Sequence, residues 1–229
     1  MRRLEQILEL LPSKHRLVDV GTDHAKLPIL AIQSSKFECA IASDLRSKPL
    51  QKASENVLRA GLSEKIEILH TAGLTDIDLR DDDLVTICGM GGYEIKNILE
   101  EHIAQIPRGT EFVLQPNWTY GVLRNFLTER GFTYLDEWVV EERKHIYILL
   151  HVRYDAENYT LEPLVNFIGP KIMSDVHLQL ETHALPEIRF KQIRNYLVKM
   201  QQLASKKGRG DAISAKIARQ IQEIIDVWR

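Results

Sequence analysis

The segment Leu17-Val18-Asp19-Val20-Gly21-Thr22-Asp23-His24-Ala25 constrains the fold most, because a short apolar run breaks at a glycine and passes straight into a candidate helix start. Strand, glycine turn and helix in immediate succession form the opening of a nucleotide-binding α/β domain. The glycine lets a ligand approach the backbone. The helix N-terminus offers N–H donors, and Asp19 and Asp23 can accept from an amine or a hydroxyl. A cofactor enzyme is favoured over a plain scaffold.

Thr22, Asp23 and His24 stand where a dinucleotide fingerprint would carry further glycines to close on a pyrophosphate, so NAD is the weaker fit. S-adenosylmethionine (SAM) has no phosphate and carries a sulfonium and an amino-acid head. One glycine among several acceptors matches it better, and SAM is the expected cofactor.

From Leu17 to Val152 short apolar runs alternate with amphipathic stretches, the pattern of βα units around a mostly parallel sheet. Strands are predicted at 16–20, 39–43, 66–70, 84–88 and 111–115. Ser47 and Pro49 open a helix that stops at Gly61, and a helix over 120–130 stops at Gly131. The runs 132–141 and 145–153, parted by Glu142-Arg143-Lys144, read as a hairpin that makes the sheet mixed. Such an ending is found in class I SAM-dependent methyltransferases, a likeness at the level of fold alone.

A linker over 155–162 leads to a helical remainder, so residues 1–160 are expected to form a SAM-binding Rossmann-like domain and 161–229 a helical appendage. Ile188, Ile193, Tyr196, Leu197, Met200 and Leu203 form one helical stripe, and Ile213, Ile217, Ile221, Ile224, Ile225 and Trp228 a second. With Gly208-Arg209-Gly210 as the turn, the product is a coiled-coil-like antiparallel hairpin, and Pro186 predicts a kink or restart before it.

Charge divides the same way. Residues 1–170 carry 19 basic against 26 acidic side chains, net −7, and residues 171–229 carry 11 against 6, net +5. A basic helical tail suits a polyanionic substrate, and equally a solvated helix face. No apolar run is long enough to span a membrane, and no uninterrupted apolar core follows Arg2 and Arg3, so a cytoplasmic protein is expected. Cys39 and Cys88 are isolated and apolar-flanked and read as buried thiols. No paired cysteines, His-Glu-x-x-His or Walker loop occurs, so no metal is expected.

Ligands of open α/β sheets bind beyond the carboxyl ends of the strands, which here carry Gly21-Thr22-Asp23, Asp44, Thr71-Ala72-Gly73, Gly89-Met90-Gly91-Gly92 and Pro116-Asn117. Asp44 is placed to hold ribose hydroxyls. Three glycines in four residues predict close approach by a ligand, with Met90 against a base or in the core. Gln115 and Asn117 carry amides that can pair with the Watson–Crick edge of a base.

The blocks Asp19-Val20-Gly21-Thr22-Asp23-His24-Ala25-Lys26-Leu27-Pro28, Ile87-Cys88-Gly89-Met90-Gly91-Gly92 and Leu114-Gln115-Pro116-Asn117, in this order, resemble the bacterial tRNA (adenine-N1)-methyltransferases that act on the D-arm adenine at tRNA position 22. The likeness runs from Arg3-Leu4-Glu5 through Phe167-Ile168-Gly169-Pro170 into the tail. It implies a Rossmann-like domain and a C-terminal hairpin that helps hold tRNA. It also implies a SAM pocket at Asp19, Gly21, Asp44, Gly73, Gly89 and Gly91, with Asp23, His24 and Asn117 facing the target base. The family usually has Tyr where this chain has Lys26, and Gly-Asp-Gly-Leu where it has Thr71-Ala72-Gly73-Leu74. Arg2, Arg3, Lys26, Lys191, Arg194, Lys199, Lys206, Lys207, Arg209, Lys216 and Arg219 are the expected RNA contacts. A methyltransferase of a protein or small molecule, and a non-catalytic binding module, are the alternatives.

Overall fold

The computed structural model describes residues 3–228. The apolar runs form seven strands: β1 (Arg16–Val20), β2 (Cys39–Asp44), β3 (Ile66–His70), β4 (Asp83–Met90), β5 (Glu111–Pro116), β6 (Phe132–Glu142) and β7 (His145–Tyr154). They build one sheet in the order β3-β2-β1-β4-β5-β7-β6, parallel except where β7 pairs with β5 and β6. Because β1–β3 extend to one side and β4 returns to the other flank of β1, the topological switch lies between β1 and β4. Their ends carry Gly21 and Gly89.

Helices α1 (Arg3–Leu10), α2 (Lys26–Gln33), α3 (Ser47–Arg59), α4 (Gly92–His102) and α5 (Tyr120–Glu129) cover the two faces. After a coil over 155–162 come α6 (Pro163–Ile168), α7 (Pro170–Thr182), α8 (Glu187–Lys207) and α9 (Ala212–Val227). Helix α8 restarts at Pro186, as the ring predicts, and Asp211 caps α9 by accepting from the Ile213 and Ser214 N–H groups. In the α8–α9 hairpin Ile193, Tyr196, Leu197 and Met200 are buried with Ile217, Ile221, Ile225 and Trp228. Ile188, Leu203 and Ile213 of the expected stripes are exposed, and Ala204 and Ala218 close the seam in their place. Smaller residues there let the helices approach, with Gly208 packed against Ala215. Both cysteines are free, but each is only partly buried.

The boundary expected near residue 160 falls in the coil, while one hydrophobic cluster runs across it from Val18 and Ile87 to Tyr196 and Trp228. A buried ion pair marks the joint. Arg124 of α5 donates through Nε to Glu137 Oε1 of β6 (3.0 Å), and through Nη1 to the Asn166 and Phe167 carbonyls. Glu137 Oε2 accepts the Lys171 and Ile172 N–H groups that open α7, and Tyr196 Oη donates to the Ile168 carbonyl (2.9 Å). Both charged side chains are fully buried. Burial works against the charge on Arg124, but Glu137 together with the Tyr196 and Tyr134 hydroxyls outweighs it and raises the guanidinium pKa.

Helix α8 climbs beside β6 toward the carboxyl edge of the sheet. Arg189 Nη2 meets the Glu137 carbonyl, Asn195 Nδ2 meets Glu141 Oε1, and Lys199 Nζ meets the Ile146 carbonyl. The eight residues after Lys199, ending at Lys207, then carry it roughly 12 Å beyond that contact. The β6–β7 arm rises too. Leu114 pairs with Leu150, which sets the end of β5 level with Ile148, so Lys144 stands roughly 13 Å above it.

Candidate active site

Four loops meet at the carboxyl edge. Gly21 (φ 73°) turns the chain off β1, and the Gly21 and Thr22 N–H groups both donate to the Ser43 carbonyl at 2.8 Å. The helix expected directly after Gly21 instead starts at Lys26, because His24 (φ 61°) and Ala25 (φ 55°) both take the left-handed conformation. Residues 22–25 thus separate Gly21 from α2 along the chain, although Lys26 and Leu27 at the start of α2 still line the recess at Gly21. Left-handed backbone costs a non-glycine residue on the order of 1 kcal/mol or more. Asn56 of α3 holds the loop there by donating to the His24 carbonyl (3.0 Å).

Three carboxylates face this edge. Asp19 is buried and accepts from Thr86 Oγ1 (2.7 Å). Burial pushes its pKa up to about 6. The Thr86 bond opposes that rise, and the charges of Asp23 and Asp44 add to it. Asp44 is buried and accepts the Arg46 N–H (2.8 Å) and, on its two oxygens, the Arg46 guanidinium at 3.2 Å each. Asp23 is exposed and paired to Lys26 Nζ at 2.6 Å, which holds its pKa below the usual carboxylate range. His24 Nε2 stands 3.7 Å from the other Asp23 oxygen.

The glycines divide into two kinds. A Cβ on Gly89 (φ 83°) would meet nothing within 4 Å, whereas one on Gly91 would meet Trp118 Nε1 at 2.7 Å and one on Gly92 the Thr119 carbonyl at 2.7 Å. Of the three glycines expected to admit a ligand, two thus admit the protein's own β5–α5 loop. Met90 lies over Gly21 with its methyl end in the way of any Cβ there. At Gly73 (φ 57°) a Cβ would meet Ile98 at 3.0 Å and His102 at 3.4 Å, so packing against α4 also demands glycine. Asn117 braces the two loops: its Nδ2 donates to the Gly89 carbonyl (2.6 Å) and its Oδ1 accepts from Gln115 Nε2 (3.1 Å).

A recess of about 70 Å³ touches Asp19, Gly21, Asp23 and Cys88, and a cleft of about 520 Å³ outside it is lined by Arg3, Leu4, Asp23, Lys26, Asn56 and Glu142. Burial pushes the Cys88 thiol up to about 12, so it stays protonated. Helix α1 forms one wall, pinned to the arm where the Arg3 N–H donates to Glu142 Oε1 (3.0 Å). Apart from Arg3, an expected RNA contact, nothing in the sequence marks this short helix as part of the site. Trp118 is 58% exposed beside Asn117, and a large aromatic directly after a strand-end amide is the one sequence signal for it.

The expected RNA contacts separate. Lys191, Lys206, Lys207, Arg209, Lys216 and Arg219 are exposed and Arg194 is half-buried. Lys199 is spent inward, its Nζ on the Ile146 carbonyl (2.7 Å), and burial lowers its pKa. Arg3 lies over the Tyr147 ring (4.7 Å), and Lys26 is held by Asp23. Arg2 lies outside the described residues. Among the described residues no His, Cys, Asp and Glu cluster is arranged to hold a metal, and no helix is long and apolar enough to cross a membrane.

The site fits a small cationic ligand. Three carboxylates on one edge oppose a pyrophosphate, and the open side of Gly89 leaves backbone for close approach. Residues 17–223 match the family described as tRNA (adenine(22)-N(1))-methyltransferase. The Bacillus subtilis enzyme of that description is 32% identical over 149 residues, 65% of this chain and 63% of that relative's length. A Streptococcus pneumoniae protein solved with S-adenosyl-L-methionine superimposes with a TM-score of 0.78 at 27% identity, covering 98% of this chain and 99% of that one. M. capricolum TrmK, solved with S-adenosyl-homocysteine, gives 0.72 at 26% identity, covering 100% and 99%.

Proposed function

Since the chain belongs to the tRNA (adenine(22)-N(1))-methyltransferase family, we propose that it transfers a methyl group from SAM to ring nitrogen N1 of the adenine at position 22 in the tRNA D-arm. The observation that carries this reading is the set of three carboxylates, Asp19, Asp23 and Asp44, gathered at the switch point beside the open face of Gly89. Asp19, Gly21 and Gly89 would hold the amino-acid end of the cofactor. Asp44 would take the ribose hydroxyls once the exposed Arg46 side chain swings aside, with Gly73 at the adenine end and Gly91 backing the Trp118 wall.

Bound SAM supplies an electrophilic methyl on a sulfonium. Adenine N1 has its own lone pair, so no general base is required, and the protein's work is orientation and charge stabilisation. Asp23 accepts from the exocyclic amine and faces the positive charge that develops on the base, which requires Lys26 to release it. Asn117 fixes the loop and offers its second amide hydrogen, and His24 shapes the strained turn that presents Asp23. Trp118 offers a ring face for stacking, worth about 1–3 kcal/mol per base. It compensates for the tyrosine that the family resemblance expects where Lys26 stands.

Because N1 lies on the pairing edge, the adenine must leave its stack to react. The surrounding RNA is held by residues 161–229. Helix α8 passes the carboxyl edge, so Lys206, Lys207 and Arg209 project from the same end of the sheet as the site, and Lys191, Arg194, Lys216 and Arg219 add phosphate contacts along the hairpin. A cytoplasmic location accords with this substrate.

The test is methyl transfer from SAM to unmodified tRNA transcripts, with the product nucleoside identified by mass spectrometry and its position by primer-extension arrest. N1-methyladenosine at position 22 is expected. A folded protein that binds SAM and modifies no tRNA would overturn the reading in favour of a protein or small-molecule methyltransferase. Failure to bind SAM would favour a binding module.

A further inference from the structure

A cleft of about 550 Å³ opens between the β6–β7 turn and α8, lined by Lys144, His145, Ile146, Arg194, Asn195, Val198, Lys199 and Gln202. It contains three basic side chains, a histidine and two amides, and no carboxylate, in a protein whose net charge is −2. Four other clefts among the described residues each carry at least one carboxylate. The nearest acids are turned to other work: Glu141 accepts from Asn195 Nδ2 (3.0 Å) and Glu142 from the Arg3 N–H (3.0 Å). The floor is fixed, because Lys199 Nζ ties α8 to the Ile146 carbonyl, whereas Lys144 and His145 at the rim are exposed.

Its place in the fold matters as much as its charge. The arm that carries Lys144 also carries Glu142, which lines the cleft beside Asp23 and Lys26. The basic cleft therefore lies on the far side of one two-stranded arm from the candidate active site. Its α8 lining, from Arg194 to Gln202, precedes Lys206 and Lys207 on the same helix.

Resting on the reading above, we propose that this cleft seats the phosphate backbone of the RNA substrate, with Lys144 and Arg194 as the phosphate ligands and the Asn195 and Gln202 amides beside them. Backbone held here runs from the hairpin end toward the base in the active site, so the arm acts as a guide between the two.

The test measures equilibrium binding of full-length protein to an unmodified tRNA transcript between 50 and 200 mM salt. It compares wild type, the double variant Lys144→Ala/Arg194→Ala, and the control double variant Lys65→Ala/Arg80→Ala at the amino ends of the strands. Each lost phosphate contact lowers the slope of log affinity against log salt by about 0.7–0.9. The first variant should therefore lose about 1.4–1.8 of slope and bind at least about tenfold more weakly at low salt. It should keep SAM affinity and melting temperature. The control should keep the wild-type slope. If wild type methylates tRNA and the first variant matches its slope, this proposal falls and the enzymatic reading stands. Loss of slope in the control to the same extent also overturns the proposal. If wild type neither binds nor methylates tRNA, both fall.

Discussion

Two carboxylate–cation pairs lie at opposite ends of one molecule's design. Asp23 and Lys26 meet at 2.6 Å with 73% and 48% of their side chains exposed, whereas Arg124 and Glu137 meet at 2.9 Å with neither exposed at all. Geometry is similar and environment is not. Water stands ready to replace either partner of the exposed pair, so such a pair contributes only about 0–1 kcal/mol and its members can be traded for a ligand. No solvent can reach the buried pair, and losing one partner strands the other charge. The first arrangement suits a site that must bind and release, and the second a joint that must not move.

The largest effect should follow from breaking the joint. Arg124→Leu leaves Glu137 buried beside the α7 N-terminus and should cost about 3–5 kcal/mol, read in a denaturant melt as a lower midpoint with an unchanged slope. The double variant Arg124→Leu/Glu137→Leu removes the stranded charge and should recover part of the loss. Recovery stops short of wild type, because the Lys171 and Ile172 N–H groups lose their acceptor. A single variant as stable as wild type would mean that the joint is not where the helices are held.

That joint could not be read from the sequence, and the reason is a bulge. Strict alternation along β6 from Phe132 and Tyr134 would bury Asp136 and Trp138, but the register shifts between Tyr134 and Asp136 and turns Glu137 and Val139 inward. The strands themselves were legible, since their apolar runs end within two residues of the observed limits. The Gly21 loop was legible in composition and not in length. Ala25 takes a conformation to which its residue type is not disposed, and Asn56, distant in sequence, braces the turn through the His24 carbonyl. Asp44 was legible as a strand-end acid; its partner Arg46, two residues on, was not.

Between the extremes stands Asp19, buried like the joint yet lacking a cation. Its pKa of about 6 exceeds its unfolded value of 3.8, so the folded chain favours the protonated acid. The resulting stabilisation is fully present below about pH 3.8 and is lost as pH rises through 6, an effect of about 3 kcal/mol. Asp19→Asn, neutral at every pH and still an acceptor for Thr86, should therefore stabilise the free protein at pH 7 by an amount approaching that figure. It should also weaken SAM binding, because the proposed pocket sets this carboxylate toward the cationic end of the cofactor. Wild-type affinity measured by titration calorimetry should fall as pH drops below about 6, and the variant should show no such fall. Equal affinities at pH 7.5 would remove Asp19 from the pocket.

The exposed pair should show the smallest change in stability and an informative change in rate. Lys26→Ala should move stability by less than about 1 kcal/mol. In the free protein Lys26 neutralises Asp23, the group assigned to face the charge developing on adenine. Removing the lysine leaves an uncompensated carboxylate there, so kcat should rise a few-fold, while KM for tRNA also rises through loss of a cation at the proposed RNA entrance. Asp23→Asn keeps an acceptor without the charge, and should lower kcat by about 10- to 100-fold with KM little changed. The two variants thus push kcat in opposite directions at nearly constant stability, which a scaffold role for the pair would not do. A fall in kcat for Lys26→Ala would instead make the lysine a partner of Asp23 in positioning the base, and the exposed pair would then have to stay closed during transfer.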